Sequence, residues 1–307
     1  MDRPTIRQLE SLVAVADFRS FRKAATSLGI SQPTLSASVQ AAEQVLGLQI
    51  FERDRRSVLI TPAGEEVVGR ARIALDTVDA VGDAARRRSE PLVGPLRLGV
   101  IPTIAPYWLP SLLPGVRKRY PRLELVLRED QTARLLQQLD AGQLEVALLA
   151  LPVPGDVTTA TIAIENFVVA AQRGAQLLKR HQGRLTERDL DDQTVLLLED
   201  GHCLRDQALA VCERGGAVEA LGVRGTSLPT IVQMVAGGLG ITLLPEAAAG
   251  ALIQPRGPVA IAALGKPPPG RTVGLAWRTS SARLREFKLL ADVMREEADK
   301  MFAKLRS

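Results

Sequence analysis

The stretch Ser89 to Pro95, which carries Pro91, Gly94 and Pro95, divides this chain into two unlike patterns. Proline and glycine interrupt the periodicity of helix and strand alike, so the stretch reads as a linker. Beyond it, short apolar strands alternate with amphipathic helices. Strands are expected at Leu96–Ile101, Leu123–Leu127, Leu144–Leu151, Phe167–Ala171, Val195–Leu198, Ile241–Leu244 and Val273–Trp277. Helices fit Ile104–Tyr120, Thr132–Ala141, Ala175–Gln182, Leu204–Arg214, Ser227–Gly237 and Ala282–Leu305. Such alternation predicts parallel sheets covered by helices, and about 210 residues of it suit two linked α/β lobes with a cleft between them.

Before the linker the spacing is helical. Ile6, Leu9, Leu12, Val13 and Ala16 form one apolar stripe. Ser20 caps a short helix from Phe21 to Leu28, and Gly29 supplies the turn that ends it. Ser31 caps a third helix, with Pro33 in its first turn, running to Leu46 and stopping at Gly47. Phe51-Glu52-Arg53 and Ser57-Val58-Leu59-Ile60 flank the basic cluster Arg53-Asp54-Arg55-Arg56, as two short strands joined by a charged wing would. Thr61-Pro62 opens a long helix to Arg88, whose stripe Val67, Ile73, Ala74, Val78 and Val81 asks for a partner. The Arg86-Arg87-Arg88 run complements the negative helix end.

The 307 residues suffice for two or three domains, and 46% hydrophobic content supports real cores. No apolar run approaches a membrane span, and Met1-Asp2-Arg3-Pro4 lacks the pattern of a signal peptide. A cytoplasmic protein is expected. The net charge of +5 is consistent with a polyanion partner, but the excess lies outside residues 1–95 and locates no site.

The segment Ser31-Gln32-Pro33-Thr34-Leu35-Ser36 presents Gln32, Thr34 and Ser36 near a helix N-terminus. Gln pairs bidentately with adenine, hydroxyls reach phosphates or base edges, and the helix end attracts phosphate. A helix-turn-helix puts such residues in the major groove. The alternative is an ordinary three-helix packing unit with a polar surface, and spacing alone does not decide. Ala24-Ala25, Leu28, Ser31 to Ser36, Glu43, Leu46-Gly47, Phe51-Glu52-Arg53 and Thr61-Pro62-Ala63-Gly64 together resemble the N-terminal domain of LysR-type transcriptional regulators. Ala42 departs from that pattern, which usually has a larger apolar residue before the Glu.

The resemblance implies a winged helix-turn-helix over residues 1–60 and a linker and dimerisation helix over 61–92. It implies a regulatory domain over 93–307 resembling a periplasmic binding protein, with lobe I at about 93–165 and 270–307 and lobe II at about 166–269. It implies contact with a double-stranded DNA operator through Ser31, Gln32, Pro33, Thr34, Ser36 and Arg53, a homodimer or homotetramer, RNA polymerase as a partner, and no enzyme activity, cofactor or membrane.

The chain's two cysteines are Cys203 and Cys212. A helix start, the His202 imidazole and Arg205 all favour thiolate at Cys203. Thiolate attacks peroxide to give sulfenic acid, which condenses with a thiol. Nine residues of helix hold the two Cα atoms ~13 Å apart, whereas a disulfide needs roughly 4.4–6.8 Å, so joining them requires the helix to be remade. Two unrelated buried cysteines remain an alternative. So does a metal site at His202, Cys203 and Cys212, although no close Cys-x-x-Cys pair supports one.

The run from Leu197 to Ala208 is similar to the redox segment of the hydrogen-peroxide sensors within the LysR class, and Cys212 falls where their resolving cysteine lies. Gly99 to Tyr107, Glu129 to Thr132, Ala141-Gly142, Thr226 to Leu228, Gly240 to Pro245 and Arg271 to Leu275 extend the likeness along the chain. That resemblance implies that Cys203 is the peroxidatic cysteine and Cys212 its partner. It implies hydrogen peroxide as the signal, a thiol reductant for the reset, and a peroxide-binding or thiolate-tuning pocket of Thr103, Thr132, His202, Arg205 and Arg271. Thr103 and Thr132 each follow a strand, where α/β ligand sites gather, though each alone could be a helix cap. A LysR-type regulator of a small metabolite and a thiol peroxidase are the competing functions. His181 reads as a solvated helix-end residue and Lys266 to Gly270 as a loop.

Overall fold

A computed structural model describes residues 3–53, 58–86, 91–180 and 184–306. His181, the centre of the Arg53–Arg56 cluster and Arg87-Arg88 lie outside these residues. The chain divides into two units. One is Met1–Pro91 with Gln137–Glu145 and Ser280–Arg283, and the other is Leu92–Leu136, Val146–Thr279 and Leu284–Ser307.

In the first unit α1 (Ile6–Phe18), α2 (Phe21–Ser27) and α3 (Gln32–Leu46) precede the strands β1 (Phe51–Arg53) and β2 (Val58–Ile60) and the helix α4 (Pro62–Arg86). Each boundary has a local cause. Thr5 and Gln8 form a capping box at α1. Ser20 accepts the Lys23 amide, and Ser31 accepts the Thr34 amide at 3.3 Å. Gly47 ends α3 in the left-handed conformation at φ 69°. Leu12, Val15, Leu35, Val39, Ala42 and Phe51 meet in one core, with Phe21 edge-on to Phe51 at 6.3 Å. The usual larger residue is not required at position 42, because Ala42 is fully buried as it stands. Glu43 fixes the turn after α3 by accepting the amides of Ile50 and Phe51 at 2.8 and 3.1 Å. β1 and β2 pair antiparallel. Val78 and Val81 of α4 are exposed, the latter at 71%.

The second unit begins with β3 (Gly94–Val100), α5 (Ala105–Arg119), β4 (Leu123–Glu129), α6 (Thr132–Asp140) and β5 (Val146–Leu151). Then come β6 (Val157–Gln172), α7 (Gln176–Arg180), β7 (Arg184–Leu185), a 3-10 turn, β8 (Thr194–Leu198), α8 (Cys203–Arg214) and β9 (Val218–Gly225). The chain finishes with α9 (Leu228–Ala236), β10 (Thr242–Pro245), α10 (Glu246–Leu252), β11 (Val259–Leu264), β12 (Gly270–Arg278) and α11 (Leu284–Arg306).

The sheet order is β4-β3-β5-β12-β6-β11-β7, with β10 also on β6. β3 runs parallel to β4 and β5 as the alternation predicts. β6 and β12 depart from it. β12 is antiparallel to β5 and β6, and β10 and β11 are antiparallel to β6. At 16 residues β6 is far longer than the Phe167–Ala171 run expected. Its first part pairs with β12 up to Asn166, and its last part lies between β10 and β11 from Val168. The threonines and Glu165 of that first part hid it, because alternation with polar residues broke the apolar run. Gly274 of β12 sits at a register shift where a Cβ would lie 2.6 Å from the Ala160 carbonyl oxygen, so only glycine allows the strands to approach. Around the later part of the chain, Phe167, Val169, Leu196, Leu204, Ala208, Val211, Cys212, Ile231, Val235 and Leu244 share a separate core.

Candidate functional site

Cys203 is the first residue of α8 and Cys212 the tenth of its twelve, both free thiols. Nine steps of 100° put them on opposite sides of the helix and ~13 Å apart along it. Cys203 is half-buried, whereas Cys212 is only 2% exposed. Burial pushes the Cys212 thiol up to about 12, so it stays protonated at neutral pH. His202 precedes the helix without capping it through its side chain, which leaves the positive helix end to Cys203. The His202 ring is buried, with Nε2 4.0 Å from Glu199 Oε1. Gly201 holds the loop at φ 94°, and a Cβ there would lie 2.7 Å from Gln131 Oε1. This close approach sets the residue before Thr132 against the loop before Cys203.

The Arg205 guanidinium is taken up by two carboxylates. Its Nε donates to Asp200 Oδ1 at 2.9 Å, and its Nη1 and Nη2 donate to Glu219 at 2.8 and 3.1 Å. Two carboxylates within reach are stronger acceptors than a thiol, and the fork geometry of guanidinium suits them. The Arg205 guanidinium in turn holds the Glu219 carboxyl below its ordinary range.

Thr103 and Arg271 are brought together. Arg271 Nη1 donates to Thr103 Oγ1 at 2.8 Å and Nη2 to the Thr103 carbonyl at 2.9 Å. Its Nε donates to Glu165 Oε2 at 2.9 Å. Arg271 and Glu165 are cross-strand partners of β12 and β6, and neither side chain has exposed surface. The other Glu165 oxygen accepts Trp108 Nε1 at 3.2 Å and the Ala247 amide at 3.1 Å. The carboxylate is thus satisfied on both oxygens, as a buried charge must be. Since Arg only donates, Thr103 Oγ1 accepts from it and keeps its own proton free to donate.

Thr132 Oγ1 and Gln207 Oε1 are among the buried polar atoms that have no hydrogen-bond partner among the described residues. Gln207 is one helical turn beyond Cys203. Each of the two atoms has hydrogen-bonding capacity left for a small polar molecule. The cavity beneath α8 is another feature, lined by Leu197, Leu204, Arg205, Ala208, Ile231 and Leu243 among others, and it is largely apolar. Of the expected pocket residues Arg205 alone reaches it. The sequence reading missed Glu165, Gln207 and Glu219. A lone acid in an apolar strand signals a buried pair, but Glu165 lay just outside the strand expected from Phe167.

On α3, Gln32, Pro33 and Thr34 are exposed, and Ser36 is half-buried. Ser31 Oγ is engaged at 2.7 Å by Thr34 Oγ1, so these two hydroxyls form the helix cap together. Arg53 ends β1.

Residues 6–65 match the bacterial regulatory helix-turn-helix family of lysR type, and residues 89–299 match the LysR substrate binding domain. The chain belongs to the LysR family of transcriptional regulators. Its relatives of high coverage are OxyR proteins and hydrogen peroxide-inducible activators. A probable hydrogen peroxide-inducible genes activator of Streptomyces viridosporus is 44% identical over 96% of this chain and 94% of its own. A full-length OxyR variant from Pseudomonas aeruginosa is 34% identical with a TM-score of 0.82, covering 95% of this chain and 98% of that one. A peroxide-bound OxyR mutant from Corynebacterium glutamicum is 37% identical with a TM-score of 0.68, covering 99% and 96%.

Proposed function

We propose that this regulator senses hydrogen peroxide through Cys203 and stores the signal as a Cys203–Cys212 disulfide. The observation that carries the reading is the pair of thiols on one helix, one reachable at its start and one sealed near its end. Thiolate at Cys203 attacks one peroxide oxygen. The O–O bond breaks, hydroxide leaves and is protonated to water, and Cys203 becomes sulfenic acid. The Cys212 sulfur then bonds to the Cys203 sulfur. The S–O bond breaks, and the hydroxyl leaves with the Cys212 proton as water.

The polar groups divide the work. Thr103, polarised by Arg271, donates to a peroxide oxygen, and Gln207 Oε1 accepts a peroxide proton. Thr132 Oγ1 does either, and His202, the residue before Cys203, shuttles a proton. Arg205 acts through the loop rather than on the substrate. Burial keeps Cys212 unreactive until α8 unwinds, which fixes the order of events.

The refolded segment alters how the α3 recognition helices meet an operator. Gln32 reads base edges, and Ser31, Pro33, Thr34, Ser36 and Arg53 shape the contact around it. The exposed Val78 and Val81 on α4 are the dimer seam, and pairs of dimers form a tetramer that engages RNA polymerase. A cytoplasmic thiol reductant resets the sensor.

The test uses a DNA fragment selected by the reduced protein from a random pool. Peroxide should change the footprint of the wild type and leave that of Cys203→Ser unchanged. A wild-type footprint indifferent to peroxide would favour a metabolite-sensing regulator.

A further inference from the structure

We infer that Asp200, Arg205, Glu219 and Arg224 form a latch that holds α8 helical and so slows the disulfide step that follows oxidation of Cys203, with Glu219 as the positioning residue. The inference rests on the disulfide reading above and concerns what controls its second step.

The ends of the segment that must refold are tied by one side chain. Arg205 lies in the first turn of α8, Asp200 precedes the helix and Glu219 follows it on β9. The Arg205 guanidinium donates to Asp200 through Nε and bidentately to Glu219 through Nη1 and Nη2. Arg224 closes the ring. Its Nη1 donates to Asp200 Oδ2 at 2.6 Å, and its Nε lies 3.6 Å from Glu219 Oε1. The Arg205 side chain is 9% exposed, which makes the fork stronger than a fully hydrated pair. Asp200 at 72% and Arg224 at 46% keep the outer half of the ring in reach of salt.

The same turns are also held by packing. Leu204 and Ala208 are buried in the core that includes Val211 and Cys212, and both line the small cavity beneath α8. The latch adds an electrostatic tie across the helix start to that apolar hold.

Oxidation of Cys203 leaves the latch closed, because the residue is already partly exposed with α8 intact. Forming the bond to Cys212 expels water from the sulfenic acid and the thiol and uses no further oxidant. It does require α8 to unwind and the Arg205–Glu219 fork to break. The latch thus gates the second step and leaves the first alone, whereas a merely structural ion pair would affect both.

The experiment follows both steps in the full reduced chain. Sulfenic acid is trapped with a 1,3-diketone, and the Cys203–Cys212 peptide is quantified by mass spectrometry after rapid quenching. Glu219→Gln should form sulfenic acid within about twofold of the wild-type rate, yet close the disulfide about three- to tenfold faster. Glu219→Asp should return closure toward the wild-type rate. Raising salt from about 0.05 to about 0.5 M should speed closure in the wild type and much less in Glu219→Gln. If Glu219→Gln fails to fold, Arg224→Gln opens the outer half of the ring and should act in the same direction. Equal closure rates in wild type and variant overturn the latch while the disulfide reading stands, and so does a parallel slowing of both steps. A wild type that never closes overturns the disulfide reading and the latch with it.

Discussion

Arg271 and Glu165 face each other across β12 and β6 as an ion pair with no exposed side-chain surface, and Arg271 passes its remaining contacts to Thr103. Glu165→Gln leaves a buried guanidinium without its counter-charge and should destabilise the fold by about 3 kcal/mol. Glu165→Leu combined with Arg271→Met removes both charges and should recover part of that stability in chemical denaturation, the Trp108 Nε1 and Ala247 amide donors being left without their acceptor. The double variant should nevertheless react with peroxide at least about tenfold more slowly, because Thr103 loses its donor. A double variant with wild-type oxidation kinetics would remove Arg271 and Thr103 from the site.

Gln207→Leu removes an unpartnered buried acceptor and replaces it with a side chain of similar size. Stability should rise slightly or stay level, since no protein hydrogen bond is lost. Peroxide oxidation of Cys203 should slow by about tenfold or more, measured by stopped-flow quenching. This opposition of stability and reactivity separates a ligand contact from a structural one.

Cys212 gives a pH prediction. The folded protein holds this proton up to about 12, while the unfolded chain releases it from a thiol at its ordinary value of 9.0. Unfolding therefore releases a proton in that window. The contribution is fully present below pH 9 and is lost as pH rises from 9 to 12, by about 1.4 kcal/mol per pH unit at most. Denaturation of the reduced wild type should steepen with alkaline pH relative to Cys212→Ala. At neutral pH an alkylating reagent should modify Cys203 long before Cys212.

Gln32→Ala should weaken operator binding by about 1–3 kcal/mol and relax sequence preference at one position, because Gln32 is exposed at the start of α3. Leu35→Ala should act differently. It empties a fully buried site and costs about 2–5 kcal/mol of stability in the first unit, with DNA affinity falling only through unfolding.

The helical half of the chain was legible because its signals are local. Caps at Ser20 and Ser31 and the stop at Gly47 lie within a few residues of the ends they set. The start of α8 was legible to within one residue, since Gly201 and His202 break the pattern before Cys203. β6 was not legible in full, because its pairing with β12, β10 and β11 is long-range and polar residues interrupt its apolar run. The same blind spot hid the partners of Arg205 and Arg271. Proximity in sequence linked Arg205 to the Cys203 sulfur and could not show that the packing of α8 near β9 brings a carboxylate 14 residues away into its fork. Spacing can mark which side chain carries charge, but the fold decides what that charge meets.

The most direct measurement is a thiol count on the reduced full-length protein after one equivalent of peroxide, with the linked peptide identified by mass spectrometry. The wild type should lose both thiols and yield a Cys203–Cys212 peptide, and Cys212→Ser should give a trapped Cys203 sulfenic acid without that peptide. A wild type that keeps Cys212 free, or a Cys203→Ser variant that still loses a thiol at the wild-type rate, would contradict the disulfide reading.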